Sequence, residues 1–183
     1  MRPDLCGLLK LILPHALCKI AQPKVRQQPL LWLMYDYAHL KLILAILRYM
    51  SLFYRTRAVD ANGYELSQNN MSYQHQFMVI YIFTAPVWSV KICTAVPANA
   101  FKHVHPASKF FPGLTWGERE ISEMLGINFS GKLDARRLML DYAFEGHPLR
   151  KSFPCMGFEE LEYSTLERWV VYNIINYRDE IDF

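Results

Sequence analysis

Side chains capable of acid–base chemistry are concentrated in one short stretch, residues 116–154. Within it, Glu118, Glu120 and Glu123 are candidates for general acid and base catalysis. Glu118 and Glu120 stand two positions apart, so they do not share a face of a helix. No histidine lies nearby in sequence to complete a hydrolytic set with them. We therefore interpret these carboxylates as ion-pair partners of nearby arginines, or as acids that favour the start of a helix.

Metal binding is a second chemistry to weigh. His103 and His105 have the spacing that puts two rings on one side of a strand, and Cys93 is a possible third ligand. A fourth ligand is not obvious, and Pro106 follows directly. The cysteines, Cys6, Cys18, Cys93 and Cys155, form no C-x-x-C pair. The spacing therefore predicts neither a zinc site nor an iron–sulfur cluster, and we expect reduced thiols.

Nucleic-acid binding is a third possibility, because Arg136-Arg137 and Arg150-Lys151 lie close to aromatic residues. Residues 110–155 contain six acids and six bases, however, and balanced charge is not typical of a phosphate-binding surface. Glycine-rich phosphate loops are also missing from the sequence. We expect no nucleic-acid partner and no catalytic, cofactor or metal residues in this chain.

A protein-binding surface fits the stretch better. Arginine pairs with carboxylates through two parallel hydrogen bonds, and aromatic side chains supply apolar anchors. The sequence Gly146-His147-Pro148 bends the chain and sets its path. Packing of the stretch on its own domain is the alternative. The residues predicted to contact a partner share charge or aromatic character; they are Trp116, Glu118, Arg119, Glu120, Arg136, Arg137, Asp141, Tyr142, Phe144, His147, Arg150, Lys151 and Phe153.

The elements that position this stretch can be read from hydrophobic spacing. Apolar residues recur at helical spacing over residues 36–54, and Asp36 is a candidate cap for that helix. Residues 76–83 and 87–96 are rich in β-branched and aromatic residues and predict an antiparallel hairpin broken at Pro86. Residues 116–125 predict a second helix, which Gly126 would end in the left-handed conformation.

The remaining segments carry weaker signals. Two prolines predict a linker over residues 21–31, and residues 60–63 have turn chemistry after a short strand at 55–59. Residues 67–75 are expected to form a loop, and residues 166–177 a strand or a helix. The predicted fold class is α+β, with a mixed or antiparallel sheet packed by helices and a long extended C-terminal segment. The predicted regions are a basic N-terminal docking arm at 1–34, an α+β core at 35–125 and a partner-wrapping segment at 126–183.

Charge and hydropathy suggest where the chain works. Residues 1–57 carry nine lysines and arginines against two acids, and residues 157–183 carry seven acids against two arginines, so we expect two different neighbours. Every apolar run is too short or too interrupted to cross a bilayer, which takes about 20 residues. The basic start is similar to a transit peptide. Because the chain begins at Met1, we expect an uncleaved docking arm instead.

The residues from Trp116 to Pro154 resemble the NuoC-type subunit of respiratory complex I, the proton-pumping NADH:ubiquinone oxidoreductase. The shared patterns, in this chain's residues, are W-x-E-R-E from Trp116, G-I-x-F-x-G from Gly126, Arg136-Arg137, and the run from Asp141 to Pro154. Weaker likeness extends to residues 57–60, 77–83 and 157–171. The chain departs from the pattern at Lys132, Ala143 and Ser152, where the family usually has His, Gly and Asp.

The resemblance implies a non-redox scaffold subunit in the quinone module of the peripheral arm. Such subunits pack on the larger NuoD-type subunit and near iron–sulfur subunits. The iron–sulfur clusters, FMN and ubiquinone belong to those partners. The implied setting is the matrix side of the mitochondrial inner membrane, or the cytoplasmic face of a bacterial plasma membrane. An equivalent subunit of a membrane-bound hydrogenase-type or other quinone-linked complex, and an organellar RNA- or ribosome-binding protein, are the alternatives.

Overall fold

A computed structural model describes Leu9, Ile12 and residues 17–21, 24–25, 28–35, 37–66, 76–98, 103–132, 134–154 and 157–175. The chain divides into two compact units, Met1–Arg150 and Lys151–Phe183. In the first unit a six-stranded mixed sheet has the order β1-β3-β6-β5-β4, and β2 also pairs with β3. Its strands are β1 Leu17–Ala21, β2 Lys24–Val25, β3 Gln28–Tyr35, β4 Arg57–Glu65, β5 Phe77–Ala85 and β6 Val90–Ala98. These elements confirm the α+β prediction.

The centre of the sheet is the hairpin of β5 and β6. The two strands pair antiparallel in unbroken register from Phe77↔Ala98 to Ala85↔Val90, as the sequence predicts. Strand β3 pairs parallel to β6, and the other pairings are antiparallel. The alternate residues Phe77, Val79, Tyr81, Phe83 and Ala85 are all buried, so β5 supplies a row of large side chains to the core.

The helix predicted to start at Asp36 is shorter than expected. Helix α1 spans Leu40–Tyr49 between short 3-10 turns at Tyr37–His39 and Ser51–Phe53, whereas the sequence predicted one helix over residues 36–54. Leu40, Ile43, Leu44 and Leu47 are buried at the predicted helical spacing. The expected capping residue Asp36 lies outside the described residues. His39 occupies the N-cap position and makes no capping hydrogen bond through its side chain.

Two local predictions were wrong because pairing in the sheet overrides turn chemistry. The predicted turn at residues 60–63 lies inside β4. There the register shifts between Ala58 and Asp60, and the Asp60 carboxylate accepts hydrogen bonds from Ala61 N and Asn62 Nδ2. The linker predicted at 21–31 overlaps β2 and the start of β3. Proline is tolerated there because Pro29 precedes the pairing of β3 with β6, which begins at Leu30.

The predicted boundary between the N-terminal arm and the core falls near the end of β3. Strands β1, β2 and most of β3 lie within residues 1–34 and pair into the sheet, so this part of the predicted docking arm belongs to the first unit. Docking of the residues before β1 stays a prediction. The loop predicted at 67–75 lies outside the described residues. Among the described residues, no helix is long and apolar enough to cross a membrane.

The second helix packs closely on the edge strand of the sheet. Helix α2 spans Thr115–Leu125, as predicted within one residue, and its buried face consists of Glu118, Ile121 and Leu125. A methyl group at Gly117 would lie 3.0 Å from the Ala61 side chain of β4, so glycine permits this close approach. The helix ends at Gly126, whose φ of 74° confirms the predicted left-handed cap.

The described part of the second unit contains a hairpin. Strand β7, Glu159–Ser164, pairs antiparallel with β8, Trp169–Ile174. Of the strand-or-helix alternative predicted for residues 166–177, residues 169–174 are therefore a strand, and residues 176 and 177 lie outside the described residues. Between Lys132 and Glu159 the described residues form neither helix nor strand. Wrapping of a partner by residues 126–183 stays a prediction.

Candidate functional site

The motif residues surround α2 and the segment that follows it, and Glu118 is the most deeply placed of them. Its carboxylate is completely buried and accepts hydrogen bonds from the backbone N–H groups of Ala107 and Ser108. The hydroxyl of Tyr81 on β5 donates to the same oxygen at 3.4 Å. A buried carboxylate is costly unless it is hydrogen-bonded and paired with a cation. Glu118 therefore joins α2, the central strand and the turn at residues 107–109.

Lys132 supplies the cation for this carboxylate. Its Nζ lies 3.5 Å from Glu118 Oε2, too far for a strong hydrogen bond, and donates to the carbonyl of Thr115 at 3.0 Å. Burial lowers the pKa of Lys132, and the negative charge of Glu118 opposes that shift. Lys132 also lies over the ring of Phe129. At position 132, where this chain departs from the pattern that it resembles, the long lysine side chain reaches the buried acid Glu118.

A second carboxylate on α2 binds the backbone of the following segment. Glu123 accepts three N–H hydrogen bonds, from Leu138 and Met139 at 2.9 Å and from Leu140 at 2.8 Å. Burial by itself raises the pKa of Glu123, but the three backbone donors and the nearby Arg137 outweigh that effect and lower it. This carboxylate fixes the path of residues 138–140.

Arg119 also binds the backbone of the segment that follows α2, but as a positively charged donor. Its guanidinium donates to the carbonyl oxygens of Arg136, at 2.9 Å, and Arg137, at 3.1 Å, and lies 3.4 Å from Asp134. The same group stacks over the ring of Trp116. Asp134 in turn bonds the side chain of Arg136, which lowers the pKa of that acid. Hydrogen-bond donors and acceptors on α2 thereby hold both the carbonyl and the N–H groups of the backbone at residues 134–140.

The side chains of Arg150 and His147 cover the C-terminal end of α2. Arg150 Nε donates to the carbonyl of Leu125 at 2.7 Å, and His147 Nδ1 lies 2.7 Å from the carbonyl of Glu123. The last carbonyls of a helix lack partners within it and favour positive charge. Arg150 also packs over the ring of Phe77 in β5. The Gly-His-Pro-Leu-Arg sequence is therefore a cap for α2.

Gly126 is required at the point where these residues meet. Besides its positive φ, a side chain there would collide with the ends of Arg150 and His147. Gly131 also has a positive φ, of 69°, but a methyl group there would meet only the flexible end of Lys109. Ala143, where the family usually has glycine, is not among the described residues with positive φ. Alanine at position 143 therefore carries no cost from a left-handed backbone conformation.

The predicted partner-contacting residues divide into two groups. Glu118 is completely buried within its own unit, so assigning it to a partner interface was wrong. Trp116 and Tyr142 are 63% and 78% exposed, and Glu120, Arg136 and Asp141 are exposed as well. Five of the predicted residues are partly buried, namely Arg119, Arg137, Phe144, His147 and Arg150. The side chains of Arg119, Arg137, His147 and Arg150 bond to backbone atoms. Lys151, exposed, and Phe153, partly buried, belong to the second unit. Partner contact by all except Glu118 stays a prediction.

The surface around α2 includes a cleft of about 360 Å³ between the helix and the segment that follows it. Its lining includes Arg119, Glu123, Lys132, Arg137 and His147. These polar side chains already bond to the protein's own backbone. Because these side chains are already bonded in this way, the arrangement fits a rigid structural joint better than a reaction centre.

The alternative metal site at Cys93, His103 and His105 does not assemble. Cys93 is buried in β6, where burial raises the pKa of its thiol, whereas His103 is exposed. His105 bonds the carbonyl of Pro106, and burial lowers its pKa. Within the described part of the chain, no group of three or more His, Cys, Asp and Glu side chains is placed to hold a metal ion.

Sequence reasoning missed three partners of the buried carboxylate: Tyr81, the backbone at residues 107–108, and Lys132. The burial of Glu118 has a sequence signal, because Glu118, Ile121 and Leu125 share one helical face. Lys132 stood out only as a departure from the family pattern. Its pairing with Glu118 depends on tertiary contacts across 14 positions, which no local pattern reveals.

Replacing Gly126 tests the cap. We expect Gly126→Ala to lower the free energy of unfolding by roughly 3 kcal/mol or more, because backbone strain adds to a collision with two ordered side chains. Gly131→Ala is the matched control. It carries the same positive-φ cost, about 1 kcal/mol, without the collision. Denaturant unfolding of both variants checks this, and equal losses would contradict the assigned collision.

Replacing Glu123 tests the anchor of residues 138–140 and its pH dependence. Its folded pKa is lowered, so its contribution is complete above the ordinary pKa of 4.5 and is lost as pH falls through the folded value. At neutral pH we expect Glu123→Gln to cost about 1–2 kcal/mol of unfolding free energy. Exposed Glu120→Gln on the same helix should cost less than about 0.5 kcal/mol. A Glu123→Gln deficit that stays constant between pH 7 and pH 3 would contradict the assignment.

Comparison with known proteins identifies the family to which the chain is similar. Residues 33–159 match the family described as respiratory-chain NADH dehydrogenase, 30 Kd subunit. The C-type subunit of the NADH-quinone oxidoreductase of Rhizobium rhizogenes is 40% identical over 105 residues, which is 57% of this chain and 52% of that protein. Its counterpart in Brucella ovis is 40% identical over 121 residues, covering 66% of this chain and 58% of that protein. The chain thus spans about half the length of the curated relatives it matches.

Solved structures with the same fold include a trypsin-resistant fragment of Nqo5. It aligns with a TM-score of 0.55 and 17% identity, covering 70% of this chain and 96% of that one. A chain of the archaeal membrane-bound sulfane sulfur reductase aligns with a TM-score of 0.58 and 16% identity, covering 82% and 85%. At such identities the likeness concerns the fold alone. The family match covers more than half of the sequence, and the chain belongs to the family of the 30 Kd subunit of respiratory-chain NADH dehydrogenase.

Proposed function

We propose that this chain is a non-redox scaffold subunit in the peripheral arm of an NADH:quinone oxidoreductase. It supports electron transfer from NADH to quinone, coupled to proton pumping, by holding its neighbours in position. The observation that carries the proposal is the use of the motif's charges. Glu118, Glu123, Arg119 and Arg150 each bond the chain's own backbone.

The partners in this proposal follow from the family. The chain packs on a NuoD-type subunit of the quinone module and lies near iron–sulfur subunits. The iron–sulfur clusters, FMN and ubiquinone are held by those partners, and this chain holds none. The exposed side chains around the joint, Trp116, Tyr142 and Arg136 among them, are suited to contact a protein because the backbone beneath them is already fixed.

The location in this proposal is the surface of a respiratory membrane. The mitochondrial matrix side remains the expectation from the sequence, and the cytoplasmic face of a bacterial membrane is consistent with the bacterial origin of the relatives. Those relatives are subunits of NADH-quinone oxidoreductases. They favour an NADH-linked complex over the hydrogenase-type or RNA-binding alternatives.

Purification through a tag on the full-length chain tests the proposal. We expect a multisubunit complex that reduces quinone with NADH, and we expect the isolated chain to contain iron and flavin well below one equivalent. Iron, sulfide and flavin assays measure the second point. Stoichiometric cofactor in the isolated chain, or a purified complex without NADH:quinone reductase activity, would overturn the scaffold assignment.

A matched pair of tyrosine variants locates the contact within that experiment. Tyr142→Ala removes a 78% exposed side chain from the motif and should lower recovery of the complex about fivefold or more. Tyr54→Ala removes a 66% exposed side chain after α1 and should leave recovery unchanged. Neither variant should change the unfolding midpoint of the isolated chain by more than a few degrees. Equal recovery of both variants would count against the motif surface as the contact.

A further inference from the structure

The hairpin of the second unit exposes large apolar side chains among the residues that the structure describes. Strands β7 and β8 are six residues each and pair only with one another in the described part of this unit. A two-stranded hairpin is at best marginally stable in water unless one of its faces is packed against something else. The side chains of β7 and β8 show which face that is.

Register sorts these side chains onto two different faces. Paired residues of an antiparallel ladder project to the same side, and neighbours along a strand project to opposite sides. The pairs Leu161↔Tyr172, Tyr163↔Val170 and Glu159↔Ile174 therefore share one face, with Glu159 at its end. We call the five apolar residues of this face the hairpin apolar face. Their side chains are 47% to 77% exposed.

The opposite face has the composition of a surface turned to water. It carries Glu160, Glu162, Ser164 and Asn173 beside Trp169 and Val171. Asn173 Nδ2 donates to Glu162 Oε2 at 2.7 Å, a diagonal pair on that face. Alternation of this kind is typical of a sheet with one packed side and one solvated side. The contiguous exposed apolar residues thus indicate a docking surface.

Charge decides which kind of occupant fits. Residues 157–175 carry four glutamates, Glu159, Glu160, Glu162 and Glu167, against Arg168 alone. The ribbon is two strands wide, with strands about 4.8 Å apart, so acids on either side lie within a Debye length of the apolar face. A second copy of this hairpin would bring like charges together, which disfavours pairing of two chains. A surface rich in lysine and arginine around an apolar centre meets both requirements.

We propose that the hairpin apolar face docks on an apolar surface bordered by lysines and arginines on a neighbouring subunit of the complex. The hairpin becomes stably folded in that contact. This inference rests on the proposed function for the existence of the neighbour. It goes beyond that function in assigning the binding face, its five residues and the charge of the partner surface.

Hydrogen exchange in the isolated full-length chain and in the purified complex tests the docking. We expect amides of β7 and β8 to exchange nearly as fast as an unstructured peptide in the isolated chain. In the complex they should exchange at least about 100-fold more slowly, because the contact must open before exchange. Protection already present in the isolated monomer would show that the chain covers its own hairpin. Protection accompanied by dimerisation in light scattering would show a second copy. Either result overturns the proposal.

Two adjacent valines provide a matched pair of variants. Val170→Asn alters the apolar face and should weaken retention of the chain in the complex about 10-fold or more, as for a central interface residue. Val171→Asn makes the same change on the opposite face and should alter retention less than about twofold. Raising the salt concentration should further reduce retention of the wild-type chain. Equal effects of the two variants, or no effect of salt, would contradict the assigned face or its charge.

The outcomes separate this inference from the function on which it rests. If the complex is an active NADH:quinone reductase but the hairpin amides are not protected from exchange, the docking proposal alone is overturned. A protected hairpin in a complex without that activity sinks the proposed function and leaves the docking in place. If the wild-type chain purifies with no other polypeptide, both proposals fail.

Discussion

The buried carboxylate of Glu118 is the interaction on which the first unit depends. It brings together the central strand through Tyr81, the turn at residues 107–108 through two backbone N–H groups, and the segment after α2 through Lys132. A buried charge deprived of its partners costs several kcal/mol, so these four elements are constrained to a common arrangement. The orientation of α2 on the sheet follows from that constraint together with the close approach of Gly117 to Ala61.

From that fixed helix, a second set of bonds determines the path of residues 126–150. Glu123 accepts hydrogen bonds from backbone N–H groups, and Arg119 donates to backbone carbonyls. Arg150 and His147 contact the last carbonyls of α2. A segment held in this way loses little conformational freedom when it meets another protein, which favours binding. The motif that identifies the family is therefore an internal framework, and its exposed residues are available to a partner. An internal framework with exposed contact residues suits the proposed scaffold role better than a catalytic role.

Local signals in the sequence were sufficient for the elements whose chemistry is local. The β5–β6 hairpin and the helix ended by Gly126 are specified by residue types within a few positions of one another, and the structure confirms both. The prediction of a turn at 60–63 was wrong because β4 pairs with β5. The prediction of a linker at 21–31 was wrong because β3 pairs with β2 and with β6, which is distant in sequence. The role of Glu118 was beyond such patterns for the same reason. Tyr81 lies 37 positions away, and its hydroxyl is recognisable as a partner only after the strand and helix are packed.

A double-mutant cycle between Glu118→Gln and Lys132→Met tests most directly the claim that the buried pair organises the unit. Both substitutions keep side-chain size close to the original, and denaturant unfolding gives the free energies. Lys132→Met alone should destabilise strongly, because it leaves a buried charge uncompensated, and the loss should be much smaller when Glu118 is already glutamine. The account predicts a coupling energy of about 1–3 kcal/mol. Additive effects, with a coupling within about 0.5 kcal/mol of zero, would contradict it.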